Sequence, residues 1–91
     1  MKKEQKLLPQ ICKFLGYLIF FWSRETGEPI HVHVCKGKPS KDATKIWIED
    51  EPRLEYNKSK IPAKDLNKIM QWLSANKNLI IDKWNEHFAD C

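Results

Sequence analysis

Two of the chain's three histidines fall within one three-residue window, in Pro29-Ile-His31-Val-His33-Val-Cys35. From Ile30 to Cys35 apolar and polar or soft residues alternate strictly, the period of a β-strand with one buried face. In that geometry His31, His33 and Cys35 form a row opposite the valines, adjacent members about 6.5–7 Å apart along the strand. Two imidazoles at this spacing can share a metal, address one phosphate from two sides, or act as acid and base. Histidine suits the last task because its unperturbed pKa of about 6.5 lies near working pH. His31 and His33 are therefore the candidate catalytic residues, weighed against an exposed strand face that happens to carry histidines. Zinc wants three or four N, S or O ligands, and no second cluster completes such a set, so no metal or cofactor is assigned. Cys35 as a nucleophile needs a histidine within hydrogen-bond reach, and a same-face neighbour one strand step away is poorly placed for that.

Basic residues gather in two stretches of sequence. Lys36, Lys38 and Lys41, with Lys45 beyond, fill the segment after the histidine strand, and Arg53, Lys58, Lys60, Lys64 and Lys68 form the second group. Trp47 and Tyr56 offer stacking faces, and stacking of a base on an aromatic ring is worth about 1–3 kcal/mol. Lys36, Lys38, Lys45 and Trp47 are thus the candidate nucleic-acid-binding residues. Glu49, Asp50, Glu51 and Glu55 interrupt the patch and count against one broad electrostatic groove. Sixteen Lys and Arg against twelve Asp and Glu leave a net +4 and a pI near 9.0, which permits a polyanion or an acidic protein as partner.

The elements that must position these side chains follow from periodicity. Ninety-one residues with 42% hydrophobic content suit a single domain with a small core. Residues 1–10 read as a polar, basic arm. Phe14 to Trp22 is a nearly continuous β-favouring run, which suggests one central strand covered on both faces. Arg24 to Pro29 is a turn, His31 to Cys35 the alternating strand, and Lys36 to Asp42 a loop. Ala43 to Glu49 alternates again, with Ile46 and Ile48 on one face and Lys45, Trp47 and Glu49 on the other. A short fourth strand fits Arg53 to Asn57. Pro62 then opens a helix with a Leu66/Ile69/Met70/Leu73 stripe. Asn76 ends that helix or caps the next, which carries Ile80, Ile81, Trp84 and Phe88. The expectation is an α+β domain: a small antiparallel sheet of three to four strands, then two C-terminal helices packed on one face. Trp72 falls at the edge of the first stripe, where it can pack or meet a partner protein.

The compartment expected is the cytoplasm. Cys12, Cys35 and Cys91 are an odd set without a CxxC pair, which suits reduced thiols. The apolar run after Lys13 has no small-residue cleavage signature and is far short of the ~20 residues of a membrane helix.

From Ile11 to Phe88 the chain resembles a short bacterial family of unknown function. The resemblance rests on Ile11, Phe14, Gly16 and Ile19, on Pro29-Ile-His31-Val-His33 with Gly37, and on Ile61-Pro62, Leu66, Trp72 and Trp84. That family centres on a proline followed by a histidine–aromatic–histidine triplet. Val32 here replaces the aromatic and Val34 the usual small residue, while both histidines are retained. Such domains are often encoded beside a second small domain and are proposed to form toxin–antitoxin pairs with it. The resemblance therefore implies a toxin-like component acting on RNA or another nucleic acid, with a small acidic partner encoded nearby. The reading from a different class is a non-catalytic interaction module that binds such a partner through its positive charge and Trp72.

Overall fold

The computed structural model describes residues 10–22 and 27–88, with the backbone only for residues 10, 11, 87 and 88. Five strands, β1 (Gln10–Phe14), β2 (Tyr17–Phe20), β3 (His31–Lys36), β4 (Thr44–Trp47) and β5 (Arg53–Tyr56), precede two helices, α1 (Ala63–Ala75) and α2 (Lys77–Phe88). The strands form one antiparallel sheet in chain order, each paired with the next. The α+β class and the paired C-terminal helices are as expected, whereas the sheet has five strands rather than three or four.

The extra strand comes from a break inside the run Phe14–Trp22. Leu15 and Gly16 both have positive φ, 55° and 81°, and Phe14 pairs directly with Tyr17. Two left-handed residues between paired strands make the two-residue turn whose twist matches a hairpin. Leu15 is a poor residue for that conformation, which is why uninterrupted hydrophobicity hid the turn. Of the arm expected over residues 1–10, only Gln10 lies among the described residues, where it opens β1. Half of the turn expected from Arg24 to Pro29, residues 24–26, lies outside them, as does Cys91.

The two faces of the sheet are packed differently. Tyr17, Ile19, Phe21, Val32, Val34, Ile46 and Ile48 meet Ile61, Ile69, Leu73, Ile80 and Trp84 in the main core. Alternation along each strand puts Leu18, Phe20, Cys35 and Ala43, with Trp22 beside them, into a smaller cluster on the other face. β3 is accordingly buried on both faces, and the expectation of an open histidine face is corrected: His31 is 0% exposed and His33 3%.

Pro62 stands at the N-cap of α1, one position before the first helical residue, and its carbonyl accepts from the Leu66 N–H at 2.8 Å. Asn76 closes α1 twice over: its backbone N–H and its side-chain Nδ2 both donate to the Trp72 carbonyl at 2.9 Å. Its own carbonyl accepts from Ile80, so one residue serves both helices. No helix among the described residues is long and apolar enough to cross a membrane.

Candidate functional site

In an antiparallel meander successive connections alternate between the two ends of the sheet. The β1–β2 turn, the β3–β4 loop and the β5–α1 connection therefore share one end. The β2–β3 connection and the β4–β5 turn share the other, together with the α1–α2 junction. That last placement is seen directly, because Lys77 at the start of α2 donates from Nζ to the Asp50 carbonyl at 2.9 Å.

The first end is dense in lysine. Lys13 near the tip of β1, Lys36, Lys38 and Lys41 after β3, Lys58 and Lys60 after β5, and Lys64 in the first turn of α1 are all exposed. Against these seven ammonium groups stand two carboxylates, Asp42 and Asp65, an excess of five where the whole chain has a net +4. Asp65 is occupied, accepting the Tyr17 hydroxyl at 2.8 Å. None of the seven lysines is in an ion pair among the described residues. Lys36 lies over the Tyr17 ring at 5.5 Å and Lys58 over the Tyr56 ring at 4.6 Å, contacts that orient a cation without neutralising it.

Side chains clasp the two loops together beneath these lysines. Asn57 Oδ1 accepts from Thr44 Oγ1 at 2.6 Å and from the Ile61 N–H at 3.0 Å, while Nδ2 donates to the Ile61 carbonyl. Ser59 Oγ lies within bonding distance of the Val34 and Asp42 carbonyls, at 3.2 and 3.0 Å. Its N–H donates to Thr44 Oγ1 at 3.3 Å. The turn ends at Lys60, whose φ of 57° is left-handed. Asn and Ser favour such side chain to backbone bonding, which is how this segment leaves β5 without fraying.

At the opposite end the histidines are enclosed by aromatic rings. The His31 and His33 ring centres are 5.0 Å apart, closer than the strand step, and nearly perpendicular. His33 lies 5.6 Å from Phe20 and 6.1 Å from Trp22. His31 lies 5.4 Å from Trp47, its partner across β3–β4, and 5.2 Å from Trp84 of the helical layer, so it stands where the two packed faces meet. Its Nδ1 sits 2.9 Å from the Pro29 carbonyl, which can only accept, and this assigns the proton of a neutral ring to Nδ1. The motif proline thus orients the histidine two residues on.

Cations at this end are engaged. Lys45 Nζ is 2.6 Å from Glu28 Oε1, and the same oxygen lies 3.8 Å from His31 Nδ1. Arg53 bonds Glu49 through Nε and an Nη at 3.2 and 3.1 Å, with Glu55 at 4.0 Å. The bonded guanidinium holds the Glu49 carboxyl below its usual range and raises Arg53 in turn. Trp47 donates from Nε1 to Glu55 at 2.7 Å, and Lys45 and Arg53 lie 4.5 and 5.8 Å from its ring.

Of the residues singled out from the sequence, Lys36 and Lys38 stand together at the lysine end. Lys45 and Trp47 belong to the histidine end, among carboxylates, and the ring of Trp47 is already occupied. Trp72 is half-buried and packs on Phe14 of β1, ring centres 5.6 Å apart. Cys35 is buried, donates from Sγ to the Lys38 carbonyl at 3.1 Å, and burial pushes its thiol above the usual range. Desolvation raises Cys12 likewise. No group of three or more metal-ligating side chains occurs among the described residues.

In the sequence, residues 36–45 and 53–68 form separate basic stretches and Lys13 stands apart from both. The parity of the turns brings Lys13, Lys36, Lys38, Lys41, Lys58, Lys60 and Lys64 to one end. Glu28, which ties Lys45 to the histidine strand, carried no signal, because its partner lies seventeen residues away.

Comparison with known families decides membership. Residues 16–85 match the model of the Domain of unknown function (DUF4160). The chain belongs to the DUF4160 family. The histidine strand and every lysine of the cluster except Lys13 lie within the DUF4160 span. No curated protein and no solved structure matches the chain.

Proposed function

We propose that this protein is the toxin-like member of a bacterial two-gene toxin–antitoxin module, acting in the cytoplasm on RNA or another nucleic acid. In this reading it grips the phosphate backbone through its lysine end. The observation that carries the reading is the set of seven exposed lysines at one end of the sheet, none with an ion-pair partner among the described residues. Lysines in this number offer a phosphate backbone several point charges and release its condensed counterions, the sequence-independent part of nucleic-acid binding. Tyr17 is buried and Tyr56 half-buried beneath lysines, so the contact is with phosphate more than with stacked bases. A small acidic partner encoded nearby competes for the same lysines and silences the protein. His31 and His33, fully enclosed, serve this reading by shaping the histidine end; a catalytic role for them requires that end to open.

The test is fluorescence anisotropy with labelled RNA and duplex DNA over a salt series. Log affinity should fall linearly with log salt, and alanine at Lys36, Lys38 and Lys60 should flatten the slope by about one per contacting lysine removed. A binding curve indifferent to salt and to these substitutions overturns the proposal. Expressed alone, the wild type should arrest bacterial growth, and His31→Ala or His33→Ala should match it wherever the variant folds.

The burial of both histidines favours a second reading, a non-catalytic interaction module whose only ligand is the acidic partner. It predicts tight co-purification with the neighbouring gene's product and no RNA binding in either state.

A further inference from the structure

β5 is the last strand of the sheet, so one edge pairs with β4 and the other has no strand beside it among the described residues. Such an edge presents backbone N–H and C=O groups that another strand can complete. The four residues Arg53-Leu54-Glu55-Tyr56 also read as their own complement. When a strand pairs antiparallel with a copy of itself about a twofold axis at residue 54, residue 53 of one copy stands opposite residue 55 of the other. Arg53 then faces the partner's Glu55, the reciprocal pair repeats this, and Leu54 meets the partner's Leu54.

Two further observations sit on the same edge. Leu54 is 38% exposed, among the few large hydrophobic side chains that are. Its register opposite Ile46 puts it on the helical side, whereas Arg53 stands opposite Trp47 on the other. Glu55 falls in a bulge between the Ile46 and Lys45 registers and reaches the Trp47 side, where it accepts from the indole Nε1. Pro52, two residues upstream, lines an open cleft of about 350 Å³ with Glu51 and with Met70, Gln71, Ser74 and Ala75 of α1, which gives the edge a mixed polar and apolar border on that side. Arg53 keeps its bonds to Glu49 in this arrangement, because a guanidinium carries five N–H donors.

We infer that the protein forms a twofold homodimer through β5, joining two five-stranded sheets edge to edge. Four residues make a short seam, so the dimer is weak and dependent on concentration. The two lysine ends point in opposite directions along the antiparallel seam, and dimerisation is independent of the nucleic-acid reading.

Sedimentation velocity from micromolar to millimolar protein tests this. The wild type should pass from monomer to dimer mass. Arg53→Glu and Glu55→Arg should each hold the protein monomeric by placing like charges opposite one another. The double variant restores opposite charges across the seam and should dimerise as the wild type does. Leu54→Lys, which sets two ammonium groups on the axis, should also stay monomeric, with circular dichroism confirming that each variant is folded. A wild type that is monomeric throughout, a dimer untouched by the single reversals, or a double variant no better than the singles overturns the inference. The Lys36, Lys38 and Lys60 alanine variant should dimerise normally, which separates this result from that of the binding experiment.

Discussion

The two ends of the sheet are built from much the same polar residue types and put them to opposite use. At the histidine end Lys45, Arg53 and Lys77 each meet an oxygen, and the histidines are walled in by Phe20, Trp22, Trp47 and Trp84. At the lysine end seven exposed ammonium groups have no ion-pair partner among the described residues, with two carboxylates nearby. Paired charges and enclosed rings hold a fold in one arrangement; unpaired charges gathered on a clasped pair of loops keep that surface solvated and leave it free to meet a polyanion. The comparison teaches that net charge is a poor guide here, since the lysine end alone exceeds the whole-chain value.

The sharpest way to break this contrast is to damage the histidine end. Trp84→Ala removes the ring that touches Phe21 and His31 and should cost about 3–5 kcal/mol in urea unfolding. A loss below about 1 kcal/mol would mean that this end is not the structural one. His31→Ala deletes a ring packed from both faces and its bond to Pro29, and should cost about 1–3 kcal/mol. RNA affinity of the folded fraction should stay within a factor of about two, and a larger drop would bring the histidines back into the site. The lysine end should answer in reverse. Alanine at Lys36, Lys38 and Lys60 should move stability by no more than about 0.5 kcal/mol while weakening RNA binding and its salt dependence.

Tyr17 links that end to α1, and Tyr17→Phe should cost about 0.5–1.5 kcal/mol by deleting the bond to Asp65. Burial first, then Asp65, pushes the Tyr17 phenol above its ordinary value of 10.0. The folded state therefore holds this proton more tightly than the unfolded chain. The resulting stability is fully present below pH 10.0 and is lost as pH rises through the folded value. The phenylalanine variant should lack this alkaline loss in a pH series of unfolding midpoints. Least affected should be Glu28→Gln, expected to cost under about 1 kcal/mol because Glu28 is half exposed. A cost several times larger would show that the Lys45 contact holds the β2–β3 connection in place.

Much of this architecture is written in local pattern. The alternation in Ile30–Cys35 and Ala43–Glu49, the stripe around Ile69 and Leu73, Pro62 before α1 and Asn76 between the helices all produce the elements that their chemistry favours. The β1–β2 hairpin was hidden because its turn uses Leu15, a residue with no turn preference, inside an apolar run. The enclosure of the histidines was hidden for a different reason. Strict alternation reports that one face is apolar, and it says nothing of Phe20, Trp22 and Trp47 covering the other or of Trp84 reaching His31 from the helical layer. The merging of the two basic stretches was legible in principle, since an antiparallel meander sends alternate turns to the same end, but only once the number of strands is known.

The clasp formed by Asn57, Thr44 and Ser59 has a consequence for affinity. Ordering a loop residue costs about 1–2 kcal/mol in backbone conformational entropy. Lys58 and Lys60 sit on a backbone that folding has already ordered, so an arriving polyanion restrains only their side chains. The spacing between the ammonium groups is then set before any encounter. Under the proposed function, such a protein would discriminate among polyanions by the geometry of their charges, with rigidity supplied by three uncharged side chains that need never touch the ligand.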